Sequence, residues 1–173
     1  MSKTKGKSRG QPAEIAVVGE VDDWESEVVK ALLEVPQGGE CVFYIDSAGG
    51  SVFGALAVLT LLRQRRLTAS AVVIGECSSA ALLLFAACRR RWVTRYSTLL
   101  FHRMRWQSEK RVSAQEARHW AGHFEEMEKD IDELQARLFG VAEKQVRDWT
   151  TEGRYVTGPE MAAAGLAEML ELG

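Results

Sequence analysis

The sequence predicts an α/β fold with a mostly parallel sheet. Short apolar segments of strand length alternate along the chain with segments of helical character. The strand segments at 41–45 and 71–74 are continuous apolar runs, which is typical of parallel strands covered on both faces. Two strand–turn–helix units, at 41–62 and 71–88, each contain a turn of very small residues.

Each element is predicted from its own periodicity and end signals. Pro36 and the two glycines that follow it end the first helix, and Thr157 with Glu160 forms a capping-box pattern at the start of the last one. Strands are predicted over 14–18, 41–45, 68–74, 91–96 and 98–102, with a short extended stretch in 152–156. Helices are predicted over 24–33, 52–64, 79–88, 113–139, 142–150 and 161–164.

Composition restricts the chain to one domain of ordinary size. The 173 residues are 46% hydrophobic, and 22 Lys and Arg against 24 Asp and Glu leave a net charge of −2. Such a balance gives no general attraction to nucleic acid or to an anionic membrane, and no apolar run reaches the length of a bilayer span. We expect a disordered basic tail over 1–12 and a single domain over 13–173, in a cytoplasmic protein without a cofactor.

The two small-residue turns indicate acyl-transfer chemistry. Gly49 and Gly50 precede one helix, and Ser78 and Ser79 precede another, so both turns present backbone N–H groups where negative charge is favoured. One turn can therefore hold an oxyanion, and the other can present a serine nucleophile. Alternatively, the serines are only small residues at a tight helix start, one of them acting as its N-cap.

The cysteines and the two neighbouring histidines of the chain are weaker candidates for a nucleophile or a metal ligand. Cys41, Cys77 and Cys88 all lie in apolar segments, which favours reduced, buried thiols, although Cys77 is next to the serine turn. His119 and His123 are one helical turn apart, but the residues between them lack the glutamate of a zinc-peptidase helix. We therefore predict no metal site.

The predicted helix over 113–139 carries a long apolar stripe. Its spacing alternates between three and four residues over about three heptads, and a helix of this length extends about 40 Å. The stripe consists of Ala117, Trp120, Phe124, Met127, Ile131, Leu134 and Leu138. Either the helix packs along the whole body, or its far end projects and buries its stripe against another subunit; we favour the second arrangement.

Five motifs, taken in order, resemble the proteolytic subunit of the Clp protease, a serine peptidase that assembles into a closed chamber. They are VGEVD at 18–22, YIDSAGG at 44–50, GECSSAA at 75–81, LFH at 100–102 and RYVTGPEM at 154–161. The resemblance implies the spiral of strand–strand–helix units that this family shares with the crotonases. It also identifies the helix at about 113–139 as the protruding handle that joins two rings.

The resemblance implies a role for each site residue. Ser79 corresponds to the nucleophile and His102 to the general base, and the N–H groups of Gly50 and Ala80 correspond to the oxyanion hole. The chain departs from the family at the third catalytic residue, because Gly153 stands where the aspartate belongs.

Two carboxylates are candidates to replace the missing aspartate. Glu152 is adjacent to the expected position, and Asp148 is a more distant candidate. If neither serves, the triad lacks its acid and its activity is weakened.

The expected function is hydrolysis of unfolded or short peptides through an acyl-enzyme. The resemblance implies a homo-oligomeric assembly, a heptamer or stacked rings. The charge balance and the absence of a long apolar run predict no nucleic acid or membrane as partner. The resemblance also implies an ATPase unfoldase, although only the short basic tail occupies the place of the family's axial loops, which argues against that partner. The alternatives are a catalytically impaired or regulatory subunit of a mixed ring, and a crotonase-type acyl-thioester enzyme.

Overall fold

A parallel sheet forms the centre of the protein. The computed structural model describes residues 11–106 and 111–173, so most of the predicted tail over 1–12 lies outside the described residues. The strands are β1 (Ala13–Glu20), β2 (Glu40–Gly49), β3 (Thr68–Cys77), β4 (Arg90–Val93), β5 (Thr98–Leu100), β6 (Tyr155–Thr157) and β7 (Glu168–Met169). Strands β1, β2, β3, β4 and β7 lie in that order, and every pair is parallel.

A small second layer extends from the end of β3. Strand β5 pairs with β3 through Glu76 and Thr98, and β6 runs antiparallel to β5. Because β5 pairs with the last residues of β3, residues 101 and 102, which follow β5, lie near the carboxyl end of β3.

The helices are α1 (Val21–Glu34), α2 (Val52–Gln64), α3 (Ala81–Ala87), α4 (Ala114–Phe139), α5 (Glu143–Glu152) and α6 (Gly158–Ala163). Helices α1, α2 and α3 each connect two parallel neighbours of the main sheet, whereas α4 and α5 connect β5 to its antiparallel partner β6. The structure therefore confirms the predicted α/β class. In the described ranges, no helix is both long and apolar enough to cross a membrane.

Helix α3 lies at the centre of the core. All six residues from Ala81 to Ala86 are buried, which explains why this segment is apolar on every side. The Phe85 ring packs against Phe139 of α4 with centroids 6.3 Å apart, and Phe139 also contacts Phe101, which follows β5, at 6.4 Å. This aromatic cluster therefore fixes α3, α4 and the segment after β5 relative to one another.

Helix α4 is packed against the body only along its C-terminal half. Its buried residues all lie between Asp132 and Phe139, and none lies before position 132. Ser113 caps the helix by accepting a hydrogen bond from the Glu116 N–H, with the reciprocal bond from the Ser113 N–H to the Glu116 carboxylate. The N-terminal half thus leaves Trp120 and Phe124 without cover from the core of this chain.

Strands β2 and β3 extend beyond their predicted ends. Polar residues such as Asp46 and Glu76 interrupt the apolar pattern, and the pairing shifts register after Ile45 before it resumes at Ser47 and Cys77. Within the shifted stretch the Glu76 N–H donates to the Asp46 carboxylate at 3.0 Å. The predicted start of the third helix at 79 is instead a left-handed residue, and α3 begins at Ala81.

Replacing Gly158 by Ala is expected to destabilise the fold by about 1–3 kcal/mol, because a Cβ there would overlap the backbone oxygen of Thr94. The same substitution at Gly122, within α4 and with nothing near the new methyl group, is expected to stabilise by about 0.5–1 kcal/mol. Urea denaturation of both variants tests this pair. If both substitutions changed the free energy of unfolding by the same amount, Gly158 would not lie in close contact with the Thr94 backbone.

Candidate active site

Ser79 is held in a sharp turn between β3 and α3. Its φ is +55°, a left-handed conformation that is unusual for a residue with a side chain. The Ser79 N–H donates to the Leu100 carbonyl at 2.9 Å, and the Ser79 carbonyl accepts from the Leu82 N–H at 3.0 Å. The surrounding backbone therefore fixes the strained residue, as is common for residues that carry function.

The glycine turn after β2 touches the serine turn directly. A Cβ at Gly49 would lie 2.6 Å from the Ser79 Cβ and 2.7 Å from the Ser78 carbonyl oxygen. Gly49 has a φ of +99° and Gly50 one of +131°, both in the region that favours glycine. The two small-residue turns are therefore in direct contact, and a side chain at Gly49 would prevent that contact.

The N–H groups of Gly50 and Ala80 are available to a ligand. Both residues line the same cavity as Ser79, and neither N–H donates a hydrogen bond within the described part of the chain. Two free N–H groups beside a serine form the arrangement that stabilises a tetrahedral oxyanion, where one donor is typically worth about 3 kcal/mol.

Ser78 has a structural role. Its hydroxyl donates to the Glu76 carboxylate at 2.6 Å and accepts from the Leu100 N–H at 3.2 Å, so it joins the end of β3 to β5. The side chain is buried and does not line the cavity, whereas Ser79 does. Of the two adjacent serines, Ser79 is therefore the one that a substrate can reach.

The cavity beside Ser79 has a volume of about 720 Å³, which is sufficient for a peptide segment. Gly50 of the glycine turn and Phe53 of α2 contribute one part of the lining, and α3 contributes Leu82 and Leu83. Helix α4 forms the opposite wall with Phe124, Ile131 and carboxylates at 128 and 132. Trp106 lies across Trp120 with ring centroids 4.7 Å apart. The lining is largely apolar, with charged groups confined to the α4 wall and to residues 20, 22 and 105.

His102 follows β5 and lines the same cavity. Its Nδ1 lies 2.6 Å from the backbone oxygen of Arg103. Since a carbonyl oxygen only accepts hydrogen bonds, Nδ1 carries the proton in this arrangement and Nε2 is the basic nitrogen. No hydrogen bond joins His102 to Ser79 in the described ranges; such bonds often tighten only when substrate binds.

The structure brings four of the five predicted site residues together. Ser79, Ala80, Gly50 and His102 share one cavity, whereas Glu152 does not line it. Glu152 is the exposed last residue of α5.

Gly153 follows Glu152 in a left-handed conformation, with φ +66°, and nothing lies within 4 Å of the place where a methyl group would stand. Asp148 is on the exposed side of α5 and pairs with Lys144 at 2.5 Å.

Two carboxylates on α4 belong to the site although the sequence did not predict them there. Glu128 and Asp132 both line the cavity, and Asp132 is buried. Burial raises the pKa of the Asp132 carboxyl, an effect that the nearby Arg103 and Arg147 partly offset and Glu128 reinforces. A signal was present, because both positions lie next to the apolar stripe of the helix, one residue after Met127 and Ile131.

The thiols and the helix histidines take no part in this site. Burial raises the pKa of Cys41 to about 11 and that of Cys77 well above its ordinary value, so neither is a thiolate at neutral pH. His119 and His123 are exposed on α4, and the described residues contain no group of three or more possible metal ligands.

Comparison with known proteins identifies the family. A protein-family model described as Clp protease matches residues 10–170, nearly the whole chain. The chain belongs to the Clp protease family.

Curated relatives agree with this assignment. The chain is 27% identical over 158 residues to the ATP-dependent Clp protease proteolytic subunit 1 of Corynebacterium glutamicum, covering 87% of this chain and 75% of the relative. It is 28% identical over 157 residues to the ATP-dependent Clp protease proteolytic subunit 4 of Rhodococcus jostii, covering 87% and 80%. The resemblance drawn from the five motifs is therefore confirmed, together with the Clp-like fold.

Replacing Ser78 by Ala is expected to destabilise this Clp-family protein by about 1–3 kcal/mol, because the Leu100 N–H loses its hydrogen-bond acceptor. Replacing Ser79 by Ala is expected to change stability by less than about 0.5 kcal/mol, since its side chain makes no hydrogen bond within the described residues. Guanidinium denaturation of the two variants compares them, and the reverse order would contradict the structural role of Ser78.

Proposed function

We propose that this protein is a serine peptidase that cleaves unfolded or short peptides through an acyl-enzyme. The observation that carries the proposal is the single cavity in which a strained Ser79 meets His102 and two free backbone N–H groups, those of Gly50 and Ala80. Membership of the Clp protease family supports the same reaction class.

The proposed reaction proceeds in two steps. The Ser79 hydroxyl oxygen attacks the scissile carbonyl carbon while its proton moves to Nε2 of His102, and the N–H groups of Gly50 and Ala80 bind the resulting oxyanion. His102 then gives the proton to the leaving amine as the peptide C–N bond breaks. Water, activated by the same histidine, hydrolyses the ester and restores Ser79.

We infer a ring assembly that forms through α4. Buried residues of the helix occur only in its C-terminal half, and its N-terminal half carries an apolar stripe in which Trp120 and Phe124 are only half-buried, against Trp106. The relatives are named as subunits of an ATP-dependent protease, which supports assembly and an ATPase partner. The number of subunits, a cytoplasmic location, and the absence of membrane or nucleic-acid partners remain predictions.

A second candidate function is that of an impaired or regulatory subunit in a mixed ring. It is favoured by one observation, the glycine at position 153 in place of an acid. Strong peptidase activity of the pure chain would exclude it. Family membership argues against the crotonase-type alternative.

A fluorophosphonate probe is expected to label the wild-type protein at Ser79, because His102 in the same cavity can take the proton of this hydroxyl. Labelling should disappear in Ser79→Ala and fall by about 100-fold or more in His102→Ala. The adjacent Ser78→Ala variant, if folded, should still be labelled. A correctly assembled wild-type protein that is never labelled would refute the proposed function.

Replacing Gly153 by Asp is expected to raise kcat by about tenfold or more with little change in KM, since a direct carboxylate partner stabilises the imidazolium. The position has room for the side chain, and aspartate and asparagine both tolerate the left-handed backbone. Gly153→Asn is therefore the control of matched shape, and it should show no gain. Equal rates for the two variants would show that the side chain does not reach His102.

Glu152 is the substitute acid that the sequence suggested, and this assignment stays a prediction. Its exposed position outside the cavity leads us to expect unchanged peptide turnover in Glu152→Ala. A loss of about tenfold or more in kcat, measured with a chromogenic peptide, would instead assign Glu152 to the reaction.

A further inference from the structure

The peptide group between Arg103 and Met104 lies between His102 and Glu128. Its carbonyl oxygen is 2.6 Å from Nδ1 of His102, and its N–H donates to the Glu128 carboxylate at 2.8 Å. Because a trans peptide is planar and its C=O and N–H point in opposite directions, the histidine and the carboxylate occupy opposite ends of one polar group. A continuous chain of hydrogen bonds therefore runs from the imidazole to a carboxylate.

The second oxygen of Glu128 is also engaged. It accepts a hydrogen bond from the Arg103 guanidinium at 2.8 Å, and the same guanidinium donates to the Thr151 hydroxyl at 3.2 Å. The Glu128 side chain is only 17% exposed, so these contacts are partly shielded from water. Glu128 thus fixes both the backbone and the side chain of the residue whose carbonyl holds the imidazole.

This arrangement has two electrostatic consequences for an imidazolium at position 102. Hydrogen bonds in a chain polarise one another, so a carboxylate on the peptide N–H makes the Arg103 carbonyl oxygen a stronger acceptor. Glu128 also pairs with the Arg103 guanidinium and so offsets a positive charge on the residue next to the histidine. Both effects favour the positively charged ring that forms during acyl transfer.

We propose that Glu128 is a positioning residue that supplies, through the 103–104 peptide, the function of the acid absent at Gly153. The inference rests on the proposed function and adds to it the route by which His102 is oriented. The Nδ1 proton stays on the ring and donates to the Arg103 carbonyl throughout, while Nε2 receives the Ser79 proton and passes it to the leaving amine. Glu128 acts on the ring through the 103–104 peptide and makes no contact with His102 Nε2 or the Ser79 hydroxyl in the described residues.

The kinetic test uses Glu128→Gln, with Glu126→Gln as the control on an exposed position of the same helix. Glu128→Gln is expected to lower kcat by about 10- to 100-fold with KM changed less than about twofold, and the control should match the wild type. Adding Gly153→Asp to Glu128→Gln should restore kcat, because a direct acid makes the relay unnecessary. Loss that the added aspartate does not repair, or no loss at all, would overturn the proposal.

A spectroscopic test does not depend on turnover. In 15N spectra of protein labelled at its three histidines, with His102 assigned through His102→Gln, the ring should be the Nδ1–H tautomer in the wild type. Glu128→Ala should move it toward a mixture with the Nε2–H form, whereas Glu126→Gln should not. The inference is refuted if the wild-type His102 ring is protonated on Nε2, or if its tautomer is the same in Glu128→Ala as in the wild type. Fluorophosphonate labelling of the same samples tests the proposed function separately.

Discussion

The close approach of the Gly49–Gly50 turn to Ser79 is the contact on which the site depends. Any Cβ at Gly49 would occupy the space of the Ser79 side chain and the Ser78 carbonyl. Only the absence of that atom lets β2 and β3 end side by side, with one turn providing N–H donors and the other a hydroxyl. The left-handed conformation of Ser79 is then maintained by the hydrogen bond of its N–H to Leu100 rather than by its own preference.

The handle and the active site are parts of one packed unit. Phe139 of α4 contacts both Phe85 of α3, the helix that follows the serine turn, and Phe101, which precedes His102, so a shift of α4 would displace both sides of the proposed catalytic pair. Glu128 on the same helix holds the backbone that follows His102. In an assembly formed through the N-terminal half of α4, subunit contacts would bear on the helix that forms one wall of the cavity.

With glycine at 153, the hydrogen-bond partner of the His102 ring in the described residues is a backbone carbonyl rather than a carboxylate. The imidazole already has a partner for Nδ1 in the Arg103 carbonyl, which selects the tautomer that leaves Nε2 basic. A neutral carbonyl orients the ring but stabilises its charged form less than an ionised acid does. In the proposed arrangement, the Glu128 carboxylate stabilises the imidazolium indirectly, through the 103–104 peptide. The value of kcat should therefore depend on the strength of the two hydrogen bonds that this peptide makes.

Local chemistry along the chain is enough to predict the strands, the small-residue turns and the apolar stripe of α4, because these patterns follow directly from strand, turn and helix geometry. The assignment of Ser79 as nucleophile and of α4 as the handle came from the resemblance of the motifs to the Clp family. No local pattern predicts that Ser78 connects β3 to β5 or that Glu152 lies outside the cavity, because both depend on contacts between distant segments. Only the tertiary structure decided that Glu128, 26 residues beyond His102 in the chain, meets the peptide after Arg103. Such contacts depend on how α4 packs against α3 and the segment after β5, which the contacts among Phe85, Phe101 and Phe139 fix and no local pattern encodes.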